Sequence, residues 1–316
     1  MVENVDKMTT LHLKNEAQFL CFTLEAEEEG TTQLYAMNVF KIREIIYYND
    51  ELTETEGENN GIMLGFLTVR EETIPLVDMR RWLYYSQDDP YRDLHPYSIE
   101  GDKNLVVICS FSNCVIGLKI HNVKRIIQKS WNEVDVGSEF GIDGNSKVTA
   151  TTKYDDGSVV QILDVERMVV DAFPNADTDD EIELESLSAI HSNRIVLLAE
   201  DSKTAAKSLQ HIIERLELSY FTFPNGKALL DYLHNAGVSK MVGAVITDLE
   251  MPLISGFEVL KRVKEEQSTA HIPVIINSSM DSESNRQMAD TLKADAFVTK
   301  GNPSQIEQAL RRLLKS

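Results

Sequence analysis

From Gln18 to Leu163 the apolar positions fall in short runs rich in β-branched and aromatic residues, bounded by turn residues. Such runs are the mark of half-buried strands. They predict strands over Gln18–Leu24, Gln33–Val39, Ile62–Val69, Thr73–Val77, Leu105–Phe111, Val115–Ile120, Val148–Tyr154 and Ser158–Leu163, with a hairpin turn at Asp155-Asp156-Gly157. Beyond Asn193 the pattern changes. Short apolar runs at Ile195–Ala199, Ser219–Phe223, Gly243–Thr247, Pro273–Asn277 and Ala296–Val298 read as fully buried strands. Between and after them, Thr204–Leu216, Gly226–Asn235, Gly256–Gln267, Glu283–Leu292 and Pro303–Leu314 read as helices. Five strands alternating with five helices predict an α/β domain with a doubly wound parallel sheet.

The two patterns meet at residues 173–192. Phe173-Pro174-Asn175 breaks structure, residues 177–185 are densely acidic, and residues 186–192 are small and polar. Self-repelling sequence of this kind predicts a solvated linker, with Ile182, Leu184 and Leu187 able to support a short helix. The β region also repeats itself. Residues 35–46 resemble residues 116–127, and Ile74-Pro-Leu-Val-Asp78 resembles Val160-Gln-Ile-Leu-Asp164. The offsets are 81 and 86 residues, and the matches keep their order. A duplicated unit of many short strands predicts two small β-barrels packed as one all-β domain.

A chain of 316 residues suits two domains. Acidic residues outnumber basic ones 51 to 31, for a net charge of −20, which disfavours nucleic acid and anionic lipid as partners. The three cysteines form no CxxC pair and no disulfide framework; Cys21 and Cys109 read as small core residues. The N-terminus lacks the basic start and apolar core of a signal peptide, and no run approaches the length of a membrane span. A cytoplasmic protein without membrane insertion is expected.

Ligands of doubly wound sheets bind beyond the carboxyl ends of the strands. Glu200 and Asp201 follow the first strand of the C-terminal sheet, and Asp248 follows the third. Converging carboxylates repel one another unless a cation joins them, and oxygen-only ligands suit Mg²⁺. Ser278 ends the fourth strand and Lys300 the fifth, where a hydroxyl and an ammonium can hold the charge of a phosphoryl group in transfer. A carboxylate can itself accept that group as an aspartyl-phosphate. Taken singly, each residue has a plainer role: strand-end acids cap helices or face water, and a strand-end lysine is a solvated charge. The combination at the right strand ends favours phosphoryl chemistry.

Residues 193–316 resemble the CheY-like receiver domain of response regulators, a flavodoxin-like fold. The resemblance rests on Glu200-Asp201, Asp248-Leu-Glu-Met-Pro-Leu-Ile-Ser-Gly256, Ile272-Pro-Val-Ile-Ile-Asn-Ser278 and Asp295-Ala-Phe-Val-Thr-Lys300. It implies that Asp248 is the phosphorylation site. Glu200 and Asp201 would bind the metal, joined by the backbone carbonyl of Glu250. Ser278 and Lys300 would contact the phosphoryl group, Phe297 would be the switching aromatic, and Gly256 would serve the turn into the third helix. Gly301 stands where the family has proline, which bears on the last strand–helix loop.

Residues 16–172 resemble the CheW family of chemotaxis coupling proteins, through Gly65-Phe-Leu-Thr-Val-Arg70, Thr73-Ile-Pro-Leu-Val-Asp-Met-Arg-Arg81, Asn38–Ile45 and Val115–Val123. That family's domain is a pair of SH3-like barrels, and such a domain followed by a receiver is the arrangement of CheV-type proteins. The resemblance implies a non-enzymatic adaptor in chemoreceptor arrays, joining receptor tips to the histidine kinase CheA, with Ile42, Glu44 and Arg70 at partner-contact positions. Each has a plainer role too, as core residue, ion-pair partner or solvated charge. Glu71-Glu72 replaces a common glycine. Pro75 and Asp78 suit an edge-strand residue and a cap for the turn leading to Trp82. A phosphate sink that drains the kinase, localised by the β domain, is the alternative.

Overall fold

The computed structural model describes residues 16–25, 33–48, 52–53, 62–84, 105–111, 114–136, 147–173, 184, 186–235, 237–279 and 283–314. The chain forms two compact units, one of residues 18–129 and 133–174, the other containing residues 175–316.

The first unit runs β1 (Glu16–Thr23), β2 (Leu34–Asn38), β3 (Ile42–Tyr47), β4 (Met63–Val69), β5 (Glu72–Asp78), α1 (Met79–Tyr84), β6 (Leu105–Phe111), β7 (Cys114–Ile120), β8 (Asn122–Ser130), β9 (Asp135–Val136), β10 (Val148–Lys153), β11 (Val159–Leu163) and α2 (Val165–Ala172). One sheet has the order β3-β6-β7-β5-β4, the other β8-β1-β2-β11-β10-β9. Exchanging β1–β2 with β6–β7, β3 with β8, and β4–β5 with β10–β11 turns one order into the other, leaving β9 as an extra edge strand. The pairing types follow the same exchange, since β5 with β7 and β11 with β2 are the parallel pairs. The sequence duplication is therefore present in the architecture, but neither sheet is built from one repeat alone.

Ion pairs close the first sheet on itself. Its edges are β3 and β4, yet Arg43 of β3 lies 2.7 Å from Glu72, and Glu44 lies 2.9 Å from Arg70 in the β4–β5 turn. In the second sheet Arg125 of the edge strand β8 pairs with Asp155 in the β10–β11 turn, the reverse in sign of Glu44–Arg70. In the β4–β5 turn both Arg70 and Glu71 have positive φ, 49° and 71°. That is a tight two-residue hairpin made without glycine, at a steric cost of about 1–2 kcal/mol per residue. The β10–β11 turn has Gly157 at φ 86°, and the Asp156 carboxylate accepts from the Ser158 N–H at 2.8 Å.

Equivalent caps start the two helices. Asp78 Oδ1 accepts from the Arg80 N–H at 2.9 Å, and Asp164 Oδ1 from the Arg167 N–H at 2.9 Å. The helices meet where the fully buried Trp82 donates its indole N–H to Asp171 at 2.9 Å. Burial pushes the Asp164 carboxyl up from 3.8 to about 6, against the opposing pull of the Arg167 N–H. A carboxyl whose folded-state pKa is raised holds its proton better when folded. Its destabilising charge therefore develops between pH 4 and 6 and persists above. Asp164→Asn keeps the capping oxygen and removes the charge. Calorimetric unfolding should show the variant more stable at pH 7, by on the order of 3 kcal/mol, with the gap closing towards pH 4.

Several local expectations change. Strands β3, β8 and β9 were not anticipated as strands, although β3 and β8 lie largely within the repeated segments. Pro75 is in β5, between β4 and β7, rather than in an edge strand; pairing to β7 begins only at Leu76, so no ladder bond to β7 is lost at the proline. Cys21 and Cys109 are buried, and all three cysteines are free thiols.

The second unit runs β12 (Ile195–Ala199), α3 (Lys203–Arg215), β13 (Tyr220–Phe223), α4 (Gly226–Leu233), α5 (Val238–Met241), β14 (Val242–Thr247), α6 (Gly256–Glu265), β15 (Val274–Ser278), α7 (Glu283–Thr291), β16 (Ala296–Thr299) and α8 (Pro303–Leu313). The single turn α5 was not anticipated. All strand pairs are parallel, in the order β13-β12-β14-β15-β16, with helices covering both faces. Leu197, Val245 and Ile276 pack with α4 and α6, while Leu198, Ile246 and Ile275 pack with α3 and α8. The core also takes in Leu187 and Ile190, 8% and 5% exposed, which lie in the stretch read as linker. The Ile190 N–H donates to Leu216, and Arg311 to the Ser188 carbonyl.

Candidate functional site

The strand order reverses between β12 and β14, since β12 continues outward to β13 and β14 to β15. The acids stand at that point. Glu200 and Asp201 follow β12, and Asp248 follows β14 with its N–H bonded to the Ala199 carbonyl at 2.8 Å. One carboxylate oxygen from each of the three lies within 4.8 Å of the others. Glu200 and Asp248 are buried, and Asp201 is half-buried. Burying two carboxylates together is costly without a cation. The Lys300 ammonium supplies one, 3.0 and 2.9 Å from the two Glu200 oxygens and 3.2 Å from Asp248 Oδ1.

Local chemistry fixes each side chain. The Leu249 N–H donates to Asp248 Oδ1 at 2.7 Å, and the Ser202 N–H to Glu200 Oε1 at 3.2 Å. Ser202 also caps α3 by accepting from Ala205. The loop after Asp248 folds back so that the Gly256 N–H reaches the Leu249 carbonyl at 3.0 Å. A Cβ at Gly256 would meet the Asp248 carbonyl oxygen at 2.1 Å. Gly256→Ala is expected to cost about 2–3 kcal/mol by overpacking, read as a lowered unfolding temperature of this unit. Gly301 has φ 73°, a conformation closed to proline, and leads Lys300 into the Asn302 cap of α8.

Lys300 thus stands with Glu200 and Asp248. Ser278 is buried at the end of β15, paired with Thr299, and its carbonyl accepts from the Lys300 N–H at 3.1 Å. Phe297 is half-buried against the core, with the Arg286 guanidinium 4.9 Å from its ring centre. Sequence reading missed Arg286, because a charged residue on an exposed helix face gives no sign of the ring it covers. Glu250 is half-buried beside Leu249. In the β unit, Ile42 packs against the core, whereas Glu44 pairs with Arg70, which is 75% exposed.

The donor set fits a hard divalent cation. It offers carboxylate oxygens alone, close enough to share one ion, at a place where the protein already positions a positive charge. Among the described residues, no helix is long and apolar enough to cross a membrane.

An acid cluster at the switch point of a 2-1-3-4-5 sheet, joined to a duplicated β domain, defines a signalling protein with a receiver. The CheW-like domain family matches residues 18–173, and the response regulator receiver domain family matches residues 196–311. The chain is 54% identical to the chemotaxis protein CheV2 of Helicobacter pylori over 99% of its own length and 100% of that protein's. It is 44% identical to CheV1 of the same organism, over 98% of this chain and 97% of the relative. The chain belongs to the CheV family of chemotaxis coupling proteins, which is an adaptor family and not a classical enzyme family.

Proposed function

We propose that this chain couples chemoreceptor tips to the histidine kinase CheA in receptor arrays of the cytoplasm, and that phosphorylation of Asp248 tunes the coupling. The observation that carries the reading is the convergence of Glu200, Asp201, Asp248 and Lys300 on one point.

Glu200, Asp201 and Asp248, with the Glu250 carbonyl, would hold Mg²⁺, which when bound lowers the repulsion between the attacking carboxylate and the incoming phosphoryl group. An Asp248 oxygen attacks the phosphorus of a phosphohistidine. A P–O bond forms as the P–N bond breaks, and the imidazole leaves with the electron pair. The Lys300 ammonium and Ser278 hydroxyl hold the charge on the transferring oxygens. Ser278 then draws towards the phosphoryl group and Phe297 follows inward, a two-state change of the kind that re-docks domains. Ile42, Glu44 and Arg70 serve partner contact in the β domain.

The test is incubation of the full chain with labelled, phosphorylated CheA and Mg²⁺. Label should pass to wild type and not to Asp248→Asn, and receptor-controlled kinase output should change in Asp248→Asn and Asp248→Ala. Unchanged output in both variants would falsify the regulatory role. Rapid loss of label with unaltered coupling would instead mark a phosphate sink.

A further inference from the structure

Resting on that metal-site reading, we propose that Asn277 is a positioning residue, the second berth for the Lys300 ammonium when a divalent ion takes its place between Glu200 and Asp248.

The strand register places Asn277 there. Leu198, Ile246 and Ile275 are neighbours on β12, β14 and β15 and share the face covered by α3 and α8. Two residues further along each strand the same face carries Glu200, Asp248 and Asn277. Asn277 pairs with Val298 of β16, which packs on that face too, and Lys300 lies two residues beyond Val298. Because β15 separates β16 from β14, the Lys300 side chain must cross β15 to reach Asp248 and Glu200. Asn277 is the β15 residue beneath that crossing.

Its chemistry is otherwise unexplained. Asn277 is 5% exposed, and its Oδ1 is buried with no hydrogen-bond partner among the described residues. An unpaired buried amide oxygen is destabilising, and an apolar residue would suit the surrounding Ile275, Ile246 and Val298 better. An acceptor beside the path of an ammonium acquires a use when that ammonium has to move. The ammonium occupies the oxygens of Glu200 and Asp248 that the cation needs. A displaced ammonium with no acceptor would be a buried unpaired charge, and its cost would be charged against metal binding. With Asn277 Oδ1 as acceptor, Lys300 stays within reach of the phosphoryl oxygens.

The experiment is calorimetric titration of Mg²⁺ into the full-length wild type, Asn277→Leu, Lys300→Met and the double variant. Asn277→Leu should weaken Mg²⁺ binding about tenfold, the loss of one charged hydrogen bond, while raising the unfolding temperature measured in EDTA. In the Lys300→Met background the same substitution should leave Mg²⁺ affinity unchanged, because no ammonium remains to be moved. Asn277→Ala removes the same oxygen, should give the same Lys300-dependent loss of Mg²⁺ affinity, and substitutes for the leucine variant if that one misfolds. Unaltered affinity in the single variant overturns the proposal, as does an equal loss with and without Lys300, which would reveal general packing damage. A wild type that binds no Mg²⁺ overturns the metal-site reading and this inference together; normal binding by both wild type and Asn277→Leu overturns only the inference.

Discussion

With Lys300 replaced by methionine, the receiver is expected to lose about 3–5 kcal/mol of stability in EDTA and to regain most of it in Mg²⁺. The Glu200 and Asp248 side chains are only 1% and 6% exposed, and Lys300 is the cation between them. Methionine fills a similar volume without charge, so packing is largely kept while two buried carboxylates are left facing each other. They must then take up a proton or repel, and either outcome weakens the fold. Mg²⁺ would replace the missing charge and would no longer compete with an ammonium for the same oxygens. The variant should therefore bind Mg²⁺ more tightly than wild type while, on the proposed mechanism, accepting phosphoryl groups far more slowly, because the donor proposed to hold the transferring oxygens is gone. Calorimetric unfolding with and without Mg²⁺ reads the first effect, and label transfer from phosphorylated CheA the second. Equal destabilisation in EDTA and in Mg²⁺ would mean that these acids share no ion.

The receiver half was legible because its information is local. A buried parallel strand is a continuous apolar run, and the residue following it stands at the rim where ligands bind, so Glu200, Asp201, Asp248 and Lys300 could be placed from strand ends alone. Side-chain reach was not legible. That Lys300 crosses β15 to reach Glu200, or that Arg286 covers Phe297, depends on rotamers and on which strands are neighbours. Leu187, legible only as able to support a short helix, and Ile190 were hidden as core residues for a related reason: apolar residues sparse among serines and acids give no sign of a buried face, and only packing beside α3 and α8 gives them a place. Strands β3 and β8 were missed because arginine, lysine and glutamate interrupt their alternation. Some of those charges serve pairs that tie an edge strand to a hairpin, at Arg43–Glu72, Glu44–Arg70 and Arg125–Asp155.

Cutting the chain within residues 85–104 is expected to leave both parts of the β unit unfolded when separated, with the receiver still folded on the second piece, and to let the β unit fold on mixing. The duplication in the sequence suggests instead one barrel per repeat, the two packed as one domain. Periodicity tells which residues are buried and not which strands bury them, so the exchange of strands left no local mark. In the structure the first piece keeps the β1–β2 and β4–β5 hairpins but loses β6 and β7, which lie between β3 and β5. The second piece keeps β6–β7 and β10–β11 but loses β1 and β2, which lie between β8 and β11. Separated hairpins are marginal in water at best. Trp82 provides the readout, since it belongs to the first piece while its hydrogen-bond partner Asp171 and its core neighbours Val165 and Met168 belong to the second. Its emission should be that of a solvated indole in the isolated piece and should shift to the blue on adding the other, together with a gain of β-sheet circular dichroism. A first piece that folds alone would refute the exchange. The same interdependence bears on the proposed coupling role: with each sheet drawing strands from both repeats, a disturbance at either sheet is resisted by the whole β unit.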